Sequence, residues 1–212
     1  MHKTFLFKKL FVIILRVMEV FEIKRKIFEV EEKLGERSYR VTRNGKTYFL
    51  KDFENDKKGF DIYVETEWKL NNTGIPHPKI YAYDKNILVV ASEFIEGSTV
   101  LEDLMKNDLS EDYFELIFKA NWFVKKNKLA VDYSPEKWKL VNEKLFYLGP
   151  ICGEFDENKH FFEKDSLRLW FYTKDFARHL VRLGLPVDKN RVPDNEAMVN
   201  KQMALTVIKY YI

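Results

Sequence analysis

From Glu22 the pattern of apolar and polar positions turns to β-rich runs bounded by turn residues. The runs are Lys26 to Leu34, Ser38 to Thr42 and Lys46 to Phe53, and Asn44-Gly45 between the last two is the strongest short-range hairpin signal. This pattern predicts an antiparallel meander. It then shifts, because Asp61 to Leu70 carries the helix formers Glu65, Glu67, Trp68, Lys69 and Leu70 before Asn71-Asn72-Thr73-Gly74 stops them. Ile75-Pro-His-Pro-Lys-Ile80 is expected to be extended, since each proline pushes its predecessor out of the helical region. Strands return at Lys79 to Tyr83 and Ile87 to Glu93, across the turn Asp84-Lys-Asn86.

The second half reads as mostly helical. Leu101 to Met105 starts a short helix, and Ser110-Glu-Asp112 opens a long one, with Ser110 as cap and Tyr113, Leu116, Ile117, Ala120 and Trp122-Phe-Val124 as its core stripe. Asp132, Ser134 and Pro135 then mark a turn ahead of a hairpin, whose strands Trp138 to Val141 and Lys144 to Leu148 are joined by Asn142-Glu143. Phe162 to Gly184 is helical with a break at Thr173, and a last helix is expected from Asn195 to Tyr211. The segment 1–17 is basic and apolar, but its longest uncharged run, Leu10 to Leu15, falls far short of the roughly 20 residues that span a bilayer. It admits three readings: an amphipathic helix on the body, a weak membrane-surface anchor, or an extension upstream of a start at Met18.

Composition narrows the function classes. A chain of 212 residues, 46% hydrophobic and 16% aromatic, suits one large domain or two small lobes around a real core. Lys and Arg number 36 against 33 acidic residues, a net charge of +3, so no nucleic-acid partner is expected. Cys152 is the single cysteine and can form neither an internal disulfide nor a Cys-based zinc site, which fits a reducing cytoplasm. His2, His77, His160 and His179 lack ligand spacing, so no metal is assigned to them.

Three strands, one helix and two strands, closed by Ser92-Glu-Phe-Ile-Glu-Gly97, resemble the small lobe of the protein kinase-like superfamily. The branch containing aminoglycoside phosphotransferases and atypical archaeal kinases is the most similar. Glu93-Phe94-Ile95-Glu96-Gly97 resembles that family's inter-lobe linker, and Gly74-Ile75-Pro76-His77-Pro78 resembles the segment after its helix C. The resemblance covers most of Glu22 to Pro150 and implies an α+β, two-lobed protein kinase-like fold. Residues 18–97 would be the small lobe, an antiparallel sheet plus one helix with the linker. Residues 98–212 would be a truncated, mostly helical large lobe with the catalytic-loop hairpin, and 1–17 an N-terminal extension.

The site follows from the same resemblance. Phosphoryl transfer needs held phosphates, a divalent metal and a carboxylate near the attacking hydroxyl. Lys51 stands in the place of the family's strand-three lysine, and Glu65 is its implied orienting partner with Glu67 as the alternative, since residues two apart do not share a helix face. Gly35, Arg37 and Arg40 fall on the phosphate-covering turn, where only Gly35 is kept; the arginines either hold phosphate by side chain or line an ordinary hairpin. Phe49 either stacks on a nucleotide base or crowds it out, and Glu93 and Ile95 are the linker's nucleotide-binding positions. Asp132 stands where the family has His-x-Asp, as a base or hydroxyl-positioning carboxylate, or else is a plain turn aspartate.

The expected metal ligands are missing. Lys137 replaces the family's metal-binding asparagine, and Gly149, followed by Pro150, replaces the aspartate of Asp-Phe-Gly. Magnesium at phosphates needs one or two protein carboxylates, so metal-assisted transfer is not supported. Two ways round this exist: Lys137 neutralising phosphate in place of a cation, or Glu154 or Asp156 serving as ligand. The expectation is a pseudokinase-like binding or regulatory protein that takes ATP without magnesium or meets a protein partner. The alternatives are an atypical ATP-dependent phosphotransferase acting on a small-molecule or protein hydroxyl, and a structural partner-binding module with its cleft plugged by Phe49 or Trp138. Whether the chain is an enzyme stays open.

Overall fold

The computed structural model describes residues 19–151, 155–156 and 166–211. The fold is α+β, and the chain divides into two compact units. The first holds the described residues up to Phe60 together with Lys79–Phe94, and the second holds Asp61–Pro78 and the chain from Ile95 onward. The segment 1–17, Cys152, Glu154, His160 and the start of the expected helix at Phe162 lie outside the described residues.

The first unit is a six-stranded antiparallel sheet. Its strands are β1 (Val20–Ile23), β2 (Lys26–Gly35), β3 (Ser38–Arg43), β4 (Lys46–Asp52), β5 (Ile80–Asp84) and β6 (Val89–Glu93), in the order β1-β2-β3-β4-β6-β5. β1 comes back toward β5, so the sheet nearly closes into a barrel. Strict alternation sets the register, because Tyr39 pairs with Leu50 and Leu50 with Ala91, and all three point to the buried side. Ile23, Phe28, Val41, Ala82 and Val89 complete that core, with Tyr48 edge-on to Phe28. The expected strands all appear within two residues of their predicted ends. β1 was not among them, because its turn is Lys24-Arg25, at φ 48° and 65°. That is the same doubly left-handed turn as Asn44-Gly45, at φ 51° and 70°, made by residues that do not announce it.

Helix α1 (Lys57–Leu70) begins in the first unit and belongs from Asp61 onward to the second. It starts ahead of the expected Asp61 because the Asp56 carboxylate accepts from the Gly59 N–H at 2.8 Å, which is N-cap chemistry. In the second unit α2 (Val100–Lys106) opens on a complete capping box between Thr99 and Glu102. Ser110 precedes α3 (Glu111–Lys126) as predicted, but its side chain makes no cap hydrogen bond. The hairpin β7 (Trp138–Val141) and β8 (Lys144–Tyr147) turns on Asn142-Glu143, both left-handed. The expected break at Thr173 is a true helix start: a 3₁₀ turn covers Leu167–Trp170, then Thr173 accepts from the Phe176 N–H and begins α4 (Lys174–Arg182). Helix α5 (Ala197–Tyr211) is last.

The main core of this unit gathers Ile117 and Val124 of α3, Leu70 of α1, Leu145 and Tyr147 of β8, and the fully buried Trp138 and Trp170. Arg168 ties its C-terminal elements together, donating to Asp175 on α4, to Glu196, and to Asn200 on α5. No helix among the described residues is long and apolar enough to cross a membrane.

Two tests follow. Gly35 is not left-handed and an added Cβ would lie 3.9 Å from Ser38 Cβ, whereas Gly45 sits at φ 70°. In urea titrations Gly35→Ala should leave stability unchanged or raise it by up to about 1 kcal/mol, while Gly45→Ala should cost about 1–2 kcal/mol. The Arg168 hydrogen bond holds the Asp175 carboxyl below the usual carboxylate range. Its stabilisation is therefore complete above the unfolded value near about 4 and is lost as pH falls through the lower folded value, with solvent screening reducing the amount. Unfolding free energy measured across that acid window should fall less steeply in Asp175→Asn than in the parent.

Candidate functional site

Residues 130–134 have no regular secondary structure, yet Ala130, Val131 and Tyr133 are buried. Buried backbone outside a ladder must find other partners. Here aromatic side chains provide them. Trp138 Nε1 donates to the Asp132 carbonyl at 3.0 Å and Trp170 Nε1 to the Tyr133 carbonyl at 2.8 Å. The Asp132 N–H donates to the Tyr147 hydroxyl at 3.0 Å, and that hydroxyl donates to the Pro150 carbonyl at 2.7 Å. Tyr133 in turn donates to Asn121 Oδ1 of α3 at 2.7 Å.

This frame presents the Asp132 side chain. Its Oδ1 accepts from the Ser134 N–H at 2.8 Å, closing an Asx-turn, while Oδ2 makes no hydrogen bond among the described residues. Lys137 ends the 3₁₀ turn Pro135–Lys137, half-buried, and its ammonium meets no side-chain or carbonyl partner among the described residues. Between them Glu136 is held by His179 Nε2 of α4 at 2.9 Å. Asp132 and Lys137 thus lie on one loop ahead of β7, Lys137 at the end of the 3₁₀ turn. Gly149 lies just past β8, buried, and a Cβ there would sit 2.6 Å from the Tyr147 hydroxyl oxygen and 2.8 Å from Cζ. Tyr147 therefore occupies the space that any side chain at this position would need. Asp156 is half-buried, and no group of three or more His, Cys, Asp or Glu among the described residues could hold a metal ion.

The linker and helix positions have partners of their own. The Ile95 carbonyl accepts from Lys139 Nζ at 3.0 Å, and burial pushes the Lys139 ammonium below its ordinary value while Glu102 opposes the shift. Glu65 is exposed and pairs with Lys69 one turn on, at 2.7 Å, whereas Glu67 is half-buried.

In the first unit, β3 and β4 place Ser38 opposite Lys51 and Arg40 opposite Phe49, on the face turned away from the barrel core. Lys51 Nζ donates to Ser38 Oγ at 3.3 Å. Arg37 is committed to Asp52, at 3.4 Å, and to Glu54. Arg40 lies 3.2 Å from Glu31 and 5.1 Å from the Phe94 ring centroid. Of the basic groups expected to meet phosphate, Lys51 is the one bonded to a neutral partner. Gly35 ends β2 just after a register shift in its pairing with β3, and Glu93 is exposed at the end of β6.

No family model matches the chain, and no curated protein matches its sequence. Reading the sequence missed Ser38, Tyr147 and Lys139. Ser38 was findable as the cross-strand partner of Lys51 once the hairpin register is counted, but the other two act through contacts that no local pattern announces.

The packing at Gly149 makes a direct test. Gly149→Ala should destabilise the protein by about 1–3 kcal/mol in urea, as overpacking does. Tyr147→Phe, which keeps the ring and removes both hydroxyl bonds, should cost about 1–3 kcal/mol.

Proposed function

We propose that this is a protein kinase-like, pseudokinase-type protein that binds ATP or a related nucleotide without a divalent metal and serves a binding or regulatory role. What supports the fold half of the reading is the order of parts: a small antiparallel sheet interrupted by one helix, a short linker, then a reduced helical unit bearing a two-stranded hairpin. What carries the metal-free half is Gly149, because Tyr147 fills the position at which the resemblance implies a metal-binding aspartate. Lys51 and Ser38 would hold phosphate oxygens by an ammonium and a hydroxyl, and Phe49 on the same sheet face offers a ring to a base. The reducing cytoplasm remains the proposed location, on the single cysteine.

A second reading rests on Asp132. Its loop is held rigidly while Oδ2 stays uncommitted, the arrangement a hydroxyl-positioning carboxylate needs, and this favours an atypical phosphotransferase acting on a small-molecule or protein hydroxyl. Nucleotide turnover abolished by Asp132→Asn would support it, and no turnover across a broad acceptor panel would remove it.

Thermal-shift titration with ATP, with and without magnesium, tests the first reading. ATP alone should stabilise the protein, by about 2.7 kcal/mol at a hundredfold excess over Kd, and Lys51→Met should abolish the shift. A shift that depends strongly on magnesium would overturn the metal-free reading. No shift at all would leave the partner-binding module.

A further inference from the structure

The second unit holds a cavity of about 160 Å³ where the end of α2 meets the starts of α3 and α5. Leu104, Leu109, Phe114, Trp170 and Val199 give it an apolar wall. An apolar cavity of about 150 Å³ is large enough for one benzene ring, so the space suits a body of about six carbons. Two of its lining residues are charged, Arg191 and Asp108, and they meet each other: Arg191 Nη2 donates to Asp108 Oδ1 at 2.8 Å.

The two partners of that bond are held very differently. Arg191 Nη1 donates to the carbonyls of Leu104 and Met105 at 2.8 and 2.9 Å, which lie in the last turn of α2 where a helix leaves carbonyls open. Its guanidinium carbon also lies 4.1 Å from the centroid of the Tyr172 ring, and the Tyr172 hydroxyl is fixed in turn by the Asp188 N–H at 2.9 Å. The guanidinium is therefore set in place by backbone and by a buried ring. Asp108 is held by little: its side chain is 88% exposed against 22% for Arg191. An ion pair with one partner so exposed to water adds little stability. The contact at Nη2 is thus the one that can be exchanged without disturbing the rest, and a donor fixed beforehand costs little to bind.

We propose that this cavity is a binding site for a small carboxylic acid with an apolar body. The body fills the space between Leu109, Phe114, Trp170 and Val199, and the carboxylate takes the place of Asp108 on Arg191 Nη2. Asp108 then acts as an internal stand-in that occupies the site until the acid arrives. The site lies wholly in the second unit and shares no residue with the nucleotide-binding positions proposed at Lys51 and Ser38.

Titration of the isotope-labelled intact chain with phenylacetate, read by two-dimensional NMR, tests the idea, with phenylacetamide and acetate as parallel probes. The expected result is saturable shifts at the Leu109 and Val199 amides and at the Trp170 indole N–H. Phenylacetate should bind roughly tenfold or more tighter than phenylacetamide, because only the acid meets the guanidinium with a charge. Acetate, without a body for the cavity, should not saturate. The decisive variant is Asp108→Asn, which changes an exposed side chain and removes the competing carboxylate. It should tighten phenylacetate roughly threefold or more and leave phenylacetamide unchanged. Arg191→Met should abolish the preference for the acid. Equal binding of acid and amide would reduce the site to a plain apolar cavity and overturn the proposal. An Asp108→Asn variant that binds the acid no tighter would overturn it as well, whether or not Arg191→Met folds. Absence of saturable shifts, or shifts centred on Ser38 and Lys51, would do the same. None of these failures touches the ATP reading, which the Lys51→Met titration decides separately.

Discussion

The second unit depends on one constraint: a buried loop with no ladder of its own must have its backbone polar groups satisfied. The core aromatics meet it. Trp138 and Trp170 bury their ring systems completely and turn their N–H edges to the carbonyls of Asp132 and Tyr133, while the Tyr147 hydroxyl takes the Asp132 N–H. Each group supplies apolar burial and a fixed hydrogen bond together, which is what Trp and Tyr offer over Phe or Leu in a core. The loop is therefore as rigid as the packing around it, and the side chains it presents inherit that rigidity.

The same constraint acts on the metal question. Tyr147 reaches both the Asp132 N–H and the Pro150 carbonyl because its ring crosses Gly149, and it crosses Gly149 because no Cβ stands in the way. The absence of a side chain at 149 and the bracing of the Asp132 loop are two aspects of one arrangement. An aspartate there would add a charge and remove the brace. In the sheet-rich unit the controlling constraint is the pleat: once Tyr39, Val41 and Leu50 face the barrel core, Ser38, Arg40, Phe49 and Lys51 have no choice but the other face.

Much of this was legible from local pattern. The β-rich runs from Lys26 to Asp52 and from Ile80 to Glu93 are bounded by turn residues, and Asn44-Gly45 names its turn. Elsewhere local signals were absent or misleading. Lys24-Arg25 adopts a left-handed turn without turn residues, so β1 went unseen, and Asp56 caps α1 from a stretch that reads as loop. Ser110 has the right identity and place for a cap but no bond.

The sequence by itself determined which residues share a sheet face, where the helices and every hairpin except that at Lys24-Arg25 fall, and that Lys137 and Gly149 stand where the resemblance implies metal ligands. These are local properties, set by side-chain period, turn chemistry and residue identity. Only the tertiary structure decided what each candidate touches: that Arg37 is spent on Asp52 and Glu54, that Lys139 holds the Ile95 carbonyl, and that the Tyr147 hydroxyl takes the Asp132 N–H. The reason is physical. Which ion pairs form and which space is filled depend on approach between segments distant in the chain, and packing, not residue period, brings them together.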